Sequence, residues 1–463
     1  MSASRSSGPE SSDVRTVWSR FKVPDGIITC NERVLRSAAG AALSAIWVVF
    51  LILLSNAPTL DAQTKNSCLD CHSKMDAPLG VDEEQFLSSI HAQKGMNCTI
   101  CHGGDPSSDD PDQAMGKAAG FKGHIERKQI PELCAKCHSD ATYMRGFNPS
   151  LRTDQFSQYR TSVHGKLLAK GDMHVAVCTD CHTAHSIRPP NDPQSSVYPV
   201  NVAQTCANCH ANADYMKQYK IPTNQFALYS TSVHHEALAV RGDSSAPTCS
   251  TCHGSHGAAP PGIASVEHVC STCHVFQQQL FDSGPHKDAF AGIGLPGCIV
   301  CHTNHGIQHP SDVMIGTENG AVCVTCHSEG DPGYAAAGAI HTELVQLSDA
   351  IGRSDEILTR AENAGVEVGE AKLELTEAQD DLTKARVTIH SVRTEAVDQN
   401  VQAGLKVTLK TWQEGINAMA EQKYRREGLV VSVITILLVL VALALLIRKL
   451  ESGKPDVTRD VGQ

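Results

Sequence analysis

The pattern Cys-x-x-Cys-His occurs nine times between residues 68 and 327, and no other feature constrains the chain as tightly. The cysteine pairs are Cys68 and Cys71, Cys98 and Cys101, Cys134 and Cys137, Cys178 and Cys181, Cys206 and Cys209, Cys249 and Cys252, Cys270 and Cys273, Cys298 and Cys301, and Cys323 and Cys326. The histidines that follow them are His72, His102, His138, His182, His210, His253, His274, His302 and His327. Two thiols able to form thioethers with porphyrin vinyl groups, and an imidazole next in line for the iron, make the attachment site of a c-type haem. A zinc knuckle or a redox dithiol would explain a single Cys-x-x-Cys. Neither explains a His after the second Cys in all nine copies.

Residue counts agree. The motifs use all but one of the 19 cysteines; Cys30, ahead of the first apolar run, is left over, so no disulfide framework is available. Nine of the 23 histidines follow motifs, and the other fourteen are enough to give each iron a second imidazole. Residues 68 to 327 supply about 29 residues per motif and the whole chain is only 5% aromatic, so porphyrins are expected to form most of the apolar interior. The expected fold is therefore mainly α with irregular loops, wrapped around nine covalently bound haem c groups. A net charge of −11 argues against nucleic acid and suits a basic redox partner.

The motif region is built from repeats. Cys134-Ala135-Lys136-Cys137-His138 with Tyr143-Met144 matches Cys206-Ala207-Asn208-Cys209-His210 with Tyr215-Met216, and Thr161-Ser162-Val163-His164 matches Thr231-Ser232-Val233-His234. Each unit closes on a second motif with one more histidine three residues on, His185 and His256; a shorter third copy carries His286 and ends at His305. A motif His cannot share its own haem with a His three residues away, because axial ligands lie on opposite faces. His185, His256 and His305 are thus expected to reach a neighbouring iron. With His91, His164, His234 and His286 upstream of motifs, and His124 and His341 beyond the repeats, the distal candidates number nine. His174, His235, His268, His309 and His390 are read as flanking or surface residues. Met144 and Met216 are read as packing residues, since Leu280 holds the equivalent place in the third copy.

Outside the motifs the chain reads as membrane segments and helices. Residues 1–37 form an expected cytoplasmic leader, and 38–57 a signal peptide or signal-anchor. The haem domain is expected over 68–337, a helical hairpin or stalk over 338–427, a transmembrane helix over the uncharged 428–447, and a cytoplasmic tail over 448–463. Ile340, Leu344, Leu347, Ile351, Ser354, Leu358 and Ala361 step by 4 and 3, as do Ala371, Leu375, Ala378, Leu382, Ala385, Ile389, Val392 and Ala396. A third stripe is expected at Leu405, Leu409, Trp412, Ile416 and Met419. An intrachain bundle is the default arrangement and a homodimer through the stalk the alternative.

The paired motifs with Ser162-Val163-His164 and Ser232-Val233-His234 resemble those of periplasmic multihaem cytochromes c of the cytochrome c3 type. The terminal helices, with Arg425-Arg426 before an apolar span, resemble those of membrane-anchored members. This resemblance implies a conduit of mostly bis-His haems at the bacterial cytoplasmic membrane, its haem domain periplasmic, between a donor linked to the quinone pool and a periplasmic or outer acceptor. Redox proteins, including a quinol-oxidising membrane subunit, are the implied partners. The alternative is a multihaem reductase of a nitrogen or sulfur oxyanion with one open iron. The motif at Cys98 is expected to be that exception, because Gly103 and Gly104 replace the usual trailing histidine pattern. Many nitrite reductases carry Lys in place of one motif His; no motif here does, which favours a carrier over an enzyme.

Overall fold

A computed structural model describes residues 66–260 and 268–452. The leader, the first apolar segment, Cys30 and the end of the tail lie outside the described residues. Those described are helical or irregular, with no strand among them.

The described residues between 66 and 331 form a string of short helices joined by loops. Several hold together by polar caps rather than by length, since helices of one or two turns are marginal alone. Asn66 accepts from the Leu69 N–H at the start of Ser67–His72, and Asn97 from Thr99 N–H at the start of Cys98–His102. Asp140 and Asn212, at matching places in the repeat, cap Ala141–Arg145 and Ala213–Met216. Met144 and Met216 are both buried, as packing residues are. Apolar side chains nevertheless close little of this region: only ten buried ones precede Pro332 among the described residues.

From Pro332 onward the architecture changes to a three-helix bundle: α1 (Pro332–Asn363), α2 (Gly369–Thr388) and α3 (Thr394–Ser452). Asp331 caps α1, with Pro332 at the first position where a missing N–H costs nothing. The chain turns at 364–368 with Gly365 at φ +80, a left-handed conformation glycine adopts without strain. Ile340, Leu344, Leu347, Ile351, Leu358 and Ala361 of α1 meet Ala371, Leu375, Ala378, Leu382 and Ala385 of α2, the two stripes read from the sequence.

Two features of the bundle depart from the sequence reading. Helix α2 stops at Thr388; Ile389–Ser391 is a 3-10 turn and Val392 sits at φ +51, so the second stripe ends before Val392 and Ala396. On α3 the buried face is Val397, Val401, Gly404, Thr408, Thr411, Gly415 and Ala418, one residue before the expected stripe. Leu409 is 72% exposed, Trp412 36% and Ile416 40%. The reason is volume: α1 and α2 already fill the centre, and α3 approaches on small residues. A Cβ added at Gly404 would lie 2.9 Å from the Leu347 side chain, and one at Gly415 2.5 Å from that of Ile357. The Ser354 hydroxyl donates to the Thr408 carbonyl at 3.0 Å across this contact.

Helix α3 continues unbroken through residues 428–447. It is the one helix among the described residues long and apolar enough to cross a membrane. At 1.5 Å per residue it spans roughly 50 Å between Thr394 and the start of that apolar stretch. The motif region meets the bundle at the end remote from the apolar stretch, where Arg386 pairs with Asp312.

Candidate metal centres along the motif chain

All nine motifs and all 23 histidines lie within the described residues. Most motifs sit on a helical turn, as in Cys98–His102, Cys178–His182, Cys249–His253 and the ends of Ile130–His138 and Pro199–His210. On a helix, positions i, i+3 and i+4 share a face, so both thiols and the imidazole do too.

Eight of the nine motif imidazoles face a second one at nearly constant separation. Ring centroids lie 6.1 Å apart for His138 and His91, 6.3 Å for His102 and His185, and 6.1 Å for His210 and His164. The values are 6.1 Å for His182 and His256, 6.4 Å for His274 and His234, and 6.0 Å for His253 and His305. His327 with His286 and His302 with His390 complete the set, both at 6.0 Å. Parallel rings such as His182 and His256, 11° apart, would touch at about 3.5–4 Å if they were stacked on each other. Two rings on opposite sides of one metal, each with a bond of about 2.0 Å, put their centroids roughly 6 Å apart. A metal ion such as the iron of a haem would fit that gap.

The pairing obeys a rule the sequence does not spell out. The Ser-x-His histidines reach forward: His91, His164 and His234 face the third, fifth and seventh motifs; His286, in a Gly-Pro-His sequence, likewise faces the ninth. Trailing histidines reach back two motifs: His185, His256 and His305 face the second, fourth and sixth. Buried Ser89, Ser162 and Ser232 cap the forward-reaching helices through their hydroxyls. The next residue's N–H then crosses to the loop carrying the trailing histidine: Ile90 to the Ile187 carbonyl at 2.8 Å, Val163 to Ala258 at 3.0 Å, and Val233 to Ile307 at 2.9 Å. Each rung thus positions one forward and one backward imidazole together.

The residue after each even motif turns the chain sharply, and in the fourth, sixth and eighth motifs this aims the trailing histidine. Gly103, Thr183, Gly254 and Thr303 lie at φ +69, +66, +81 and +62 and lead the chain out of the helix. At Gly103 no side chain fits, because a Cβ would lie 2.1 Å from the Gly120 carbonyl oxygen. Thr183 adopts φ +66 with ψ 179, a region that costs a β-branched residue strain and is tolerated where surroundings demand it. Arg127 provides part of that demand, with a two-pronged pair to Asp180 inside the fourth motif and a 2.8 Å bond to the Val175 carbonyl.

Neighbouring motifs lie near one another in chain order. Thiols lie within hydrogen-bond reach for Cys68 with Cys98, Cys134 with Cys178, and Cys206 with Cys249. Those of Cys101 and Cys134, Cys181 and Cys209, Cys252 and Cys270, and Cys301 and Cys323 lie within electrostatic reach, as do His274 and His302. Consecutive motifs are therefore near neighbours from first to last. Burial pushes the His91, His138, His164, His182, His210, His256 and His302 imidazoles below the ordinary histidine range. They are neutral at pH 7, the form whose lone pair binds iron.

The expected set needs three adjustments. His124 is exposed and His341 lies against Gly316, and neither faces a motif imidazole in the described ring contacts. His390, read as a flanking residue, stands opposite His302 instead; the only sequence signal for it is an unclaimed histidine at the end of a heptad stripe. The motif at Cys98, expected to be the exception, has its partner in His185, whereas His72 faces no second imidazole among the described ring contacts; its Nδ1–H donates to the Leu79 carbonyl at 2.8 Å.

Comparison with known proteins agrees with the geometry. Residues 90–211 match the family model for cytochrome c3, and residues 293–332 that for a doubled CXXCH motif. The C-type polyheme cytochrome OmcC of Geobacter sulfurreducens is 23% identical over 176 residues, 33% of this chain. The chain matches 21% of that relative's length. No solved structure matches. Paired thiols beside an imidazole, neutral rings and gaps wide enough for an iron fit haem c, and the protein is a multihaem c-type cytochrome. More narrowly, residues 90–211 and 293–332 are similar to the cytochrome c3 and doubled-CXXCH families, and the apolar C-terminal helix fits membrane anchoring.

Proposed function

We propose that the chain carries nine haems, I to IX in motif order, and conducts electrons along them as a single file. The observation that carries this is the pairing of eight motif imidazoles at 6.0–6.4 Å on motifs that lie near one another in sequence order. When bound, haem supplies a one-electron iron couple whose potential depends on axial ligands and burial. The protein's part is to hold eight of the irons between two fixed imidazoles and each haem near the next, so that electron transfer needs little rearrangement. Intact mass should show nine covalent haems, and paramagnetic resonance of the oxidised protein should show low-spin irons at haems II to IX. Fewer than nine haems, or high-spin signals from several irons, overturns the reading.

The tether sets the context. In this reading α3 anchors the chain in the bacterial cytoplasmic membrane, with haems on the periplasmic side and 448–463 in the cytoplasm. The donor is linked to the quinone pool and the acceptor is periplasmic or at the outer face. Because the bundle holds the motif region roughly 50 Å from the apolar stretch, a bilayer quinol cannot reduce these haems by contact, and a quinol-oxidising subunit must carry electrons across that gap. Exposed Leu409, Trp412 and Ile416 on the outer face of α3 support pairing of two stalks as a homodimer.

A reductase of a nitrogen or sulfur oxyanion is the second reading, favoured by one observation: His72 alone among the motif histidines has no facing imidazole in the described ring contacts. An open iron would then be haem I, at the start of the file. Reduced protein that binds one carbon monoxide at haem I and turns over nitrite or a sulfur oxyanion would establish it.

A further inference from the structure

We infer that His390, from the helical stalk, is the second axial ligand of the iron held by His302, so that the stalk is a working part of the haem file. The inference rests on the haem reading above. Its ring lies 6.0 Å from that of His302 at an interplanar angle of 20°, inside the range of the seven pairs within the motif region. Its Nδ1–H donates to the Val387 carbonyl at 2.8 Å, which leaves Nε2 with its lone pair free. His72 and His253 orient their rings in the same way, through the Leu79 and Ala259 carbonyls.

The turn that carries His390 is clamped from several directions. Gly284 lies so close that a Cβ there would meet the Ser391 carbonyl oxygen at 2.5 Å. Arg393 donates to the Ser283 carbonyl at 2.6 Å, and Arg386 grips Asp312 with two bonds of 2.7 and 2.8 Å. These contacts tie the turn to the segment between the seventh and ninth motifs. The backbone break at Thr388 then has a purpose, because a continuous α2 would not stop and turn at this position.

Repeat logic leads to the same place. Every even motif before the eighth takes its partner from three residues after the motif two further on. The eighth has no such successor, since the motifs end at the ninth. The stalk supplies from its own turn the histidine that a tenth motif would have trailed. His341, nearer in sequence, lies on α1 against Gly316 instead.

Full-length protein with His390→Ala should keep its covalent haem count and show one additional high-spin iron. After reduction it should bind one more carbon monoxide per chain than the parent, and added imidazole should restore the low-spin spectrum. His390→Met should stay low-spin while one haem's potential rises, and His341→Ala should change none of these readouts. A haem-replete His390→Ala protein with unchanged spin state and carbon monoxide capacity overturns the inference and leaves the conduit reading intact. Parent protein without covalent haem overturns the conduit reading itself. Should the alanine variant fail to accumulate, His390→Met decides: an unchanged set of potentials overturns the inference.

Discussion

The motif region and the stalk are both helical, yet they are held together by different things. Eighteen of the buried apolar residues lie at or after Ala337, in far fewer residues than the motif region, which has ten. The bundle closes on its own side chains at heptad spacing, with Leu344, Leu347 and Leu358 completely shielded. The motif helices close on short caps, the Ser-x-His rungs and pairs of imidazoles spaced for a metal. One region is a protein core; the other is a scaffold whose interior is completed by cofactors. Stability in the first is therefore a property of sequence, and in the second a property of haem loading.

The largest test of that contrast is to withhold haem. Protein made in a host without haem-attachment machinery should lose ordered structure over residues 66–331 and keep it over 332–419, as limited proteolysis with mass mapping would report. Equal protection of both regions would break the comparison. Next, Leu344→Ala should cost about 3 kcal/mol of bundle stability, in the range for emptying a closed core site, measured by guanidinium unfolding of the stalk. The spectra of haems I to VII should not change.

Backbone geometry in the motif region offers a paired test. Gly103→Ala, forced against the Gly120 carbonyl, should disturb the loop and cost the His102–His185 pair its low-spin signal. Thr183→Gly should instead stabilise the fourth motif by about 1 kcal/mol through release of a strained φ, read as resistance to denaturant.

A smaller effect separates the regions by pH. Burial lowers the pKa of His91, His138 and His164, so the unfolded chain binds more protons than the folded one as pH falls below about 6.5, the ordinary histidine value. Stability of the motif region is fully present above that pH and declines below it. In the stalk, Lys384 and Lys410 are shifted upward by Asp381 and Glu374, and that contribution is lost only at alkaline pH. Between pH 7 and 5 the motif region should weaken while the bundle holds.

Much of this was legible in the residues. The Cys-x-x-Cys-His pattern announces thioether attachment because the chemistry needs those atoms at that spacing, and the heptads of α1 and α2 announce a packed pair because side-chain volume and period leave little choice. The third stripe is met only in part: Leu405 and Met419 pack against the core, but close approach of a third helix selects Gly404, Thr408 and Gly415 for the centre and leaves Leu409, Trp412 and Ile416 exposed. His124 and His341 were proposed by position along the chain, and position carries no information about which iron an imidazole reaches.

Local chemistry, then, belongs to the sequence: which residues can hold a porphyrin, where a membrane helix runs, and which faces are apolar. Partner choice belongs to the tertiary structure. Whether His185 faces the second motif and whether His390 faces the eighth depend on rungs, turns and clamps between residues up to 110 apart. Axial pairing is a contact between distant segments, and such contacts exist only once the chain has closed on itself.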